Sequence, residues 1–267
     1  MESVNKNINT KRIFVKLSAF FFVFVICTTI VLYKLYEGCL NYNENVNANI
    51  LNLKYVYNIP QDDVEQVVNV IQSENIQKLE QLQNINPEIV ALIEIEGTNI
   101  NYPVLHTSDN VYYLTHNYKK EKSKDGALML DKDCDLLIPT TNILIYGHNN
   151  VGSSEMFSDL IKYKNKGFYD SHKIIKFTTN TEEAVYEIIS VFLSRVYYQS
   201  QTDIFKYYFF IHANNKEEFN NFITNCKKLS LYNIDSTAQY GDQLMTLSTC
   251  EYSRLNGRLV VVAKKIK

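Results

Sequence analysis

The sequence predicts a mainly β protein in which eight short strands close into a barrel. From Pro87 onward, the chain consists of short apolar runs of strand length, separated by polar or glycine-containing turns. One long amphipathic helical pattern interrupts these runs near the C-terminus. Many short strands with few helices favour a closed or nearly closed β-barrel over a parallel sheet with alternating helices. We expect N-terminal helices and a single transmembrane helix to precede the barrel.

The N-terminal segment has the pattern of an uncleaved membrane anchor. Residues 1–12 are polar and basic, and the almost wholly apolar stretch Ile13–Tyr33 follows them. In a helix this stretch would span about 31 Å, which is enough to cross a bilayer core. Lys11, Arg12 and Lys16 precede or begin the stretch and favour a cytoplasmic N-terminus. The alternative is a cleavable signal peptide, whose apolar region is usually shorter and is followed by an A-x-A-like site.

These patterns predict four regions. Residues 1–12 are a cytoplasmic tail, 13–35 a transmembrane signal anchor, and 36–59 an Asn-rich stalk. Residues 60–267 form an extracellular domain, so the chain is predicted to be a single-pass protein of the cell membrane. This domain begins with a helical extension at Pro60, where acidic residues in the first turn favour a helix start. The extension, as one bent helix or two, should pack outside the barrel through an apolar stripe: Val64, Val67, Val68, Ile71, Ile76, Leu79 and Leu82.

The strands of the barrel are predicted from apolar runs and their turns. Gly97-Thr98-Asn99 is a hairpin-like signal between the first two strands. Short helices are expected at 110–116 and 156–163, and a longer one at Asn215–Leu229, where apolar residues recur at helical spacing. The predicted strands are Ile89–Glu96, Ile100–Leu105, Ala127–Leu130, Ile143–Tyr146, Lys173–Thr178, Ala184–Ser194, Gln243–Leu247 and Leu259–Ile266.

Charge and cysteine usage exclude several classes of function. The net charge is −2 and no strongly basic block lies outside the N-terminus, so nucleic acid is not an expected partner. Five cysteines show neither paired spacing nor metal-ligand spacing, which predicts no metal site and no disulfide framework. The sequence also has no Gly-rich phosphate loop, and we expect no cofactor. Cys134 lies between two aspartates and predicts an exposed turn, whereas Cys226 lies on the apolar stripe of the late helix and predicts buried packing.

Cys250 is the cysteine whose surroundings call for a chemical explanation. It ends one apolar run, and Arg258 begins the next run after a short polar turn. Two neighbouring strands with this connection would place the thiol and the guanidinium at the same end of a sheet. A nearby cation favours the thiolate, which is the nucleophilic form. Arg254 is a rival cation within the turn, and the alternatives are a buried structural cysteine and an Arg258–Glu251 ion pair.

His148 is the candidate base. It follows an apolar strand and Gly147, and such strand-end loops present reactive side chains on a rigid scaffold. Imidazole also titrates in the range that general acid–base catalysis requires. The other four histidines lie in segments that predict loops or helix edges: His106, His116, His172 and His212.

Three separated motifs resemble the active-site signature of sortases, the membrane-anchored cysteine transpeptidases of Gram-positive bacteria. They are Thr246-Leu247-Ser248-Thr249-Cys250, Arg258 at the start of a Val-rich strand, and Tyr146-Gly147-His148 upstream. Asn110–Tyr118 resembles the helix motif of class B, as do the N-terminal helices and the helix before the cysteine strand. The resemblance covers about residues 60–267.

This resemblance implies a sortase-type barrel and a defined reaction. Cys250 would form a thioester with a C-terminal sorting signal of a secreted protein, cleaved after Thr, and His148 would act as acid and base. Arg258, together with the Glu251 backbone N–H, would stabilise the oxyanion or hold the substrate backbone. The expected partners are secreted proteins with sorting signals, a peptidoglycan amine acceptor and the membrane, and we expect a monomer. The implied substrate-groove residues are Asn110, Leu114, Tyr146, Ser248, Thr249 and Glu251.

Two other readings remain compatible with the same residues. In a membrane-anchored cysteine peptidase, water instead of an amine would resolve the thioester. In a catalytically silent surface-binding module, Cys250 would be structural and unreactive.

Overall fold

A computed structural model describes residues 74–198 and 200–267, and the strands of this part form a closed eight-stranded barrel. Around the barrel the order is β1-β2-β3-β4-β7-β8-β6-β5. The predicted mainly β fold and its closure are therefore confirmed. The strands are β1 Ile89–Glu94, β2 Asn101–Leu105, β3 Leu128–Leu130, β4 Asn142–Tyr146, β5 Ile174–Thr178, β6 Glu183–Arg195, β7 Leu244–Cys250 and β8 Gly257–Lys265.

The mixed strand directions decide which loops meet at each mouth of the barrel. β4 and β7 are parallel, as are β2 and β3, whereas the other neighbouring pairs are antiparallel. β7 is buried along its length except at Cys250. Its first residues are mostly apolar, which is typical of a strand that is covered on both faces. The carboxyl ends of β4 and β7 consequently lie side by side, next to the start of β8.

Helices cover the outside of the barrel. They are α1 Glu74–Ile85, α2 Lys166–Ser171 and α3 Lys216–Leu229. Leu79 of α1 is fully buried in a cluster that includes Ile89 and Leu105, as predicted for the helical extension. Asn215 begins α3 by accepting a hydrogen bond from the Glu218 N–H, and the apolar face of α3, including Cys226, is buried. The late helix is therefore confirmed.

The short helical segments differ from the predictions. The segments predicted at 110–116 and 156–163 contain 3₁₀ helices, Tyr112–Leu114 and Ser158–Lys164, and a third is Tyr207–Phe209. The six-residue α2 was not predicted, because its short sequence carries no apolar period. A cap explains its start: the Asn165 side chain accepts hydrogen bonds from the N–H groups of Gly167 and Phe168.

The predicted exposure of Cys134 is wrong. Cys134 is only 3% exposed, because the turn that carries it folds back onto β4. The thiol donates to the Asn142 carbonyl and accepts a hydrogen bond from the Leu144 N–H, both at 3.4 Å. Burial raises the pKa of Cys134 to about 11, so this thiol is a poor nucleophile.

The predicted anchor at 13–35, the stalk at 36–59 and the first part of the helical extension lie outside the described residues. Among the helices of the described part, none is long and apolar enough to cross a bilayer.

Candidate active site

A cleft of about 350 Å³ opens at the mouth of the barrel where β4 and β7 end and β8 begins. It contains the three predicted catalytic side chains and five of the six predicted groove residues. Its lining also includes Gly147, which belongs to the Tyr146-Gly147-His148 motif, and four residues that were not predicted as site residues. The lining residues are Asn110, Leu114, Met129, Tyr146, Gly147, His148, Val196, Tyr207, Tyr208, Ser248, Thr249, Cys250 and Arg258.

The antiparallel pairing of β7 and β8 brings the thiol and the guanidinium together. Cys250 and Arg258 are direct register partners, as the short connection between their strands predicted. Arg258 lines the cleft and donates one Nη1–H to the Gly257 carbonyl at 2.9 Å. A guanidinium has five N–H donors, so this bond leaves others for a ligand. Arg254 lies exposed in the turn and does not line the cleft.

The parallel pairing of β4 and β7 brings His148 to the same mouth. The last register pair is Tyr146 with Ser248, and the Gly147 N–H donates to the Ser248 carbonyl at 3.2 Å. The approach at Gly147 excludes a side chain, because a Cβ there would lie 2.3 Å from Leu128 Cδ2. Glycine therefore lets the chain pass close to the core immediately before His148.

The ring of His148 is oriented by the 3₁₀ helix at Tyr112–Leu114. Its Nε2 lies 2.8 Å from the Leu114 carbonyl oxygen. A carbonyl only accepts, so Nε2 carries the proton and Nδ1 is the acceptor in the neutral ring. Gly126 lets the His148 ring lie close to this 3₁₀ helix. It has a φ of +58°, and a Cβ there would lie 2.5 Å from the backbone carbonyl oxygen of Tyr113 and 3.1 Å from His148 Cδ2.

The electrostatics of the pair favour charge separation. A hydrogen bond with His148 is the main cause that lowers the pKa of Cys250 below its ordinary value; burial opposes this effect and the positive charge of Arg258 adds to it. The same hydrogen bond raises the pKa of His148, burial opposes the rise, and the Leu114 carbonyl reinforces it. Both shifts increase the share of the thiolate–imidazolium form, which is the reactive state of such a pair.

Comparison with known proteins identifies the family. Residues 93–266 match the model of the sortase domain. The chain belongs to the sortase family. Sortase B of Staphylococcus aureus is 34% identical over 192 residues, 71% of this chain and 75% of that protein. Sortase B of Listeria monocytogenes is 32% identical over 191 residues, 71% of this chain and 74% of that protein.

Solved structures agree with this assignment. The Staphylococcus aureus sortase B–substrate complex superposes with a TM-score of 0.66 at 30% identity, and the match covers 84% of this chain and 98% of that chain. The predicted resemblance to class B is confirmed, and the protein is a sortase-type cysteine transpeptidase.

Several groove residues predicted for this sortase are held by a buried carboxylate. Asp131 is 5% exposed, and its Oδ2 accepts hydrogen bonds from Asn110 Nδ2 at 2.9 Å and from the Tyr146 hydroxyl at 2.8 Å. The Asn110 oxygen in turn accepts from the Lys132 N–H at 2.8 Å. Burial and the charge of Asp131 raise the pKa of Tyr146, so its hydroxyl stays protonated as a donor. This wall of the cleft is therefore fixed before any substrate binds.

Aromatic side chains also line the cleft. The Tyr207 hydroxyl lies 2.7 Å from Ser248 Oγ and is buried, and burial raises its pKa to about 12. Tyr208 beside it accepts a hydrogen bond from the Tyr197 N–H. Four of the lining residues were not predicted from the sequence: Tyr207, Tyr208, Val196 and Met129. The aromatic run Tyr207–Phe210 was the available signal, since exposed aromatic clusters on a connecting loop often mark binding surfaces.

Glu251 is the predicted groove residue that the structure does not bring to the cleft. Its side chain is 4% exposed and pairs with Lys164, and it accepts two further hydrogen bonds from Ser253. Burial raises the pKa of Glu251, but the bonds from Lys164 and Ser253 outweigh burial, so its pKa is lowered overall. The Glu251 N–H donates to the Gly257 carbonyl at 3.0 Å. The Glu251 side chain, expected in the groove, is already bonded to Lys164 and Ser253. The Glu251 N–H, expected at the oxyanion with Arg258, is already bonded to the Gly257 carbonyl.

The Lys164–Glu251 pair supports the turn beyond the thiol, and its loss should destabilise the protein. We expect Lys164→Met to lower the free energy of unfolding by about 1–3 kcal/mol at pH 7, less than for a fully buried pair because Lys164 is partly exposed. The pKa of Glu251 is lowered in the folded protein, so its stabilising effect is complete above the ordinary value of 4.5 and should shrink as pH falls from there through the lowered pKa, where the acid becomes protonated.

Urea unfolding at a series of pH values from 7 down to about 3, which extends below the ordinary value of 4.5, measures this effect. Lys166→Met is the matched control, because its pair with Asp170 is exposed on both sides, and we expect a change below about 0.5 kcal/mol. Equal losses in the two variants, or a loss for Lys164→Met that does not depend on pH, would contradict the supporting role of the buried pair.

Proposed function

We propose that this sortase cleaves a C-terminal sorting signal of secreted proteins after Thr and joins the protein to a cell-wall amine. The observation that carries the proposal is the convergence of His148, Cys250 and Arg258 on one cleft. The lining of the cleft combines polar and aromatic side chains, which suits a peptide whose backbone and side chains contact both kinds of group.

Cys250 is the nucleophile in this mechanism. Its thiolate adds to the carbonyl carbon of the scissile peptide bond and forms a tetrahedral oxyanion. The imidazolium of His148 then donates its Nδ1 proton to the leaving amine, the C–N bond breaks, and a thioester remains on Cys250. Neutral His148 next removes a proton from the incoming amine, which attacks the thioester carbonyl and expels the thiolate. The enzyme thus returns to the thiolate–imidazolium form.

Two groups assist this reaction: one fixes the orientation of the His148 ring, and the other stabilises the oxyanion. The Leu114 carbonyl holds the Nε2–H of His148 throughout, so Nδ1 is the nitrogen that exchanges the proton. Arg258 is the donor proposed for the oxyanion, since its guanidinium lies beside Cys250 at the cleft. Asn110, Leu114, Tyr146, Ser248 and Thr249 would bind the sorting signal along the cleft.

The proposed setting is the outer face of the cell membrane. Residues 13–35 would anchor the enzyme with residues 1–12 in the cytoplasm, and residues 36–59 would carry the catalytic domain away from the bilayer. An anchor confines the enzyme where secreted precursors emerge and where peptidoglycan amines are available, which raises the effective concentration of both substrates.

The decisive experiment separates transfer from hydrolysis. The purified full-length protein is incubated with a peptide carrying an NPxTx-like or PPxTG-like signal and with an oligoglycine amine, and the products are identified by mass spectrometry. We expect the amide of the Thr carboxyl end with the added amine, and no product from Cys250→Ala. Formation of the free acid alone at saturating amine would indicate a peptidase, and cleavage of neither signal by protein with a reactive Cys250 would overturn the proposed substrate class.

A further inference from the structure

The strand pairing that aligns His148 with Cys250 ends before it reaches either residue. Along β4 and β7 the last register pair is Tyr146 with Ser248, and the last backbone bond is from the Gly147 N–H to the Ser248 carbonyl. His148 therefore lies beyond the end of the parallel ladder. Something other than backbone pairing must fix the separation of the imidazole from the thiol.

Side chains continue the ladder past this point. Thr249 Oγ1 donates to the Gly147 carbonyl at 2.8 Å. Asn149 Nδ2 donates to the Cys250 carbonyl at 3.0 Å, and the Tyr252 hydroxyl donates to the Asn149 carbonyl. Asn149 and Tyr252 thus form a reciprocal clamp, in which each loop supplies a side-chain donor to a backbone carbonyl of the other loop.

We propose that Asn149 and Tyr252 are positioning residues that hold His148 opposite Cys250. Asn149 is bonded to the peptide unit of Cys250 and is covalently next to His148, so its side chain sets the distance between the two loops. The inference rests on the proposed catalytic roles of His148 and Cys250.

Apart from its hydrogen bond with the thiol, which forms only when the two loops already lie at the right distance, the contacts of His148 do not join these loops. The His148 carbonyl accepts a hydrogen bond from the Phe157 N–H at 2.9 Å, and its ring is bonded to the Leu114 carbonyl. Both contacts tie His148 to elements that do not carry the thiol. A displacement of about 1 Å between reacting groups can cost about 100-fold in rate, so a clamp across the two loops acts directly on turnover.

The clamp is tested with Asn149→Ala, Asn149→Asp and Tyr252→Phe in the full-length protein. Four quantities are measured: kcat and KM for peptide cleavage, the pH dependence of Cys250 alkylation by iodoacetamide, and the midpoint of thermal unfolding. Asn225→Ala and Tyr240→Phe are matched controls, because Asn225 donates to the Asn221 carbonyl within α3 and Tyr240 lines a cavity at the other mouth of the barrel.

The proposal predicts a loss in kcat of about 10- to 100-fold for both Asn149 variants, with KM within about threefold of the original. The alkylation profile should shift to higher pH, because a displaced imidazole lowers the pKa of Cys250 less. Asn149→Asp should shift it furthest, since its carboxylate cannot donate and places a negative charge near the thiolate. Tyr252→Phe should show a smaller loss in kcat. In the Asn149→Ala/Tyr252→Phe double variant, the loss expressed as an activation free energy should be less than the sum of the two single-variant losses.

Three outcomes would overturn the clamp. Unchanged kcat and an unchanged alkylation profile would show that it does not position the pair, while inactivity of Cys250→Ala would leave the proposed function standing. A fall in kcat with an unchanged alkylation profile would remove the link to the thiol. A matching fall in unfolding midpoint and activity, in Tyr252→Phe as well as in the Asn149 variants, would assign the residues to folding alone.

Discussion

Replacement of His148 by Ala is expected to lower kcat/KM for peptide cleavage by about 10²–10⁴-fold. The imidazole contributes to two steps, because it stabilises the thiolate of Cys250 and protonates the leaving amine. The hydrogen bond with His148 is the main cause of the lowered pKa of Cys250, so the variant should also require a higher pH for alkylation of this thiol. The rate of iodoacetamide alkylation from pH 5 to pH 10 measures this shift separately from turnover.

The sign of the pH effect follows from the two groups. In the original protein the pKa of Cys250 is lowered, so alkylation should rise through a pH below the ordinary thiol value. Without the imidazole, burial of the thiol remains and Arg258 alone opposes it, so the midpoint moves upward. His116→Ala is a suitable control, because His116 stacks on Tyr112 outside the cleft lining. An alkylation profile that is the same with and without His148 would contradict the pairing of the two groups.

Replacement of Arg258 by Ala is expected to lower kcat about 10²–10³-fold, the usual cost of losing one oxyanion donor. Arg254→Ala should retain nearly full activity, because Arg254 lies exposed in the turn and does not line the cleft. Both arginines carry the same charge and lie four positions apart in the sequence, so the comparison separates a local contact of Arg258 from a general effect of positive charge.

Steady-state kinetics with a sorting-signal peptide measures this pair of variants. Arg258→Lys distinguishes the role further, since lysine keeps the charge and loses the planar guanidinium donors. We expect Arg258→Lys to recover only part of the loss. Inactivity of Arg254→Ala together with normal turnover of Arg258→Ala would reverse the assignment of the oxyanion donor.

The strands of the barrel and the pairing of Cys250 with Arg258 were predictable because both depend on local sequence. Apolar runs of strand length fix the strands, and the short turn between Cys250 and Arg258 dictates that their strands pair. His148 was found because it follows a strand and a glycine. The parallel pairing of β4 with β7, which brings His148 to the thiol, is not local and was not predicted; the three-motif resemblance implied only that His148 acts together with Cys250.

The surroundings of the site were less predictable because they depend on contacts between distant segments. The Lys164–Glu251 pair joins residues 87 positions apart, and its partners give no local pattern. Glu251 next to the thiol suggested a groove residue, whereas its side chain turns inward to this lysine. Cys134 looked exposed between two aspartates, but contacts with β4 bury it. The role of the Leu114 carbonyl is a backbone contact, which side-chain identities do not reveal.

The most direct test of the account is to isolate the acyl-enzyme. The full-length protein is mixed with a sorting-signal peptide without added amine, quenched in acid, and mapped by mass spectrometry. The account predicts the N-terminal fragment of the peptide joined through its Thr carbonyl to Cys250, and loss of this adduct when an oligoglycine amine is added before the quench. Cleavage that proceeds in Cys250→Ala, or an adduct on any other residue, would contradict it.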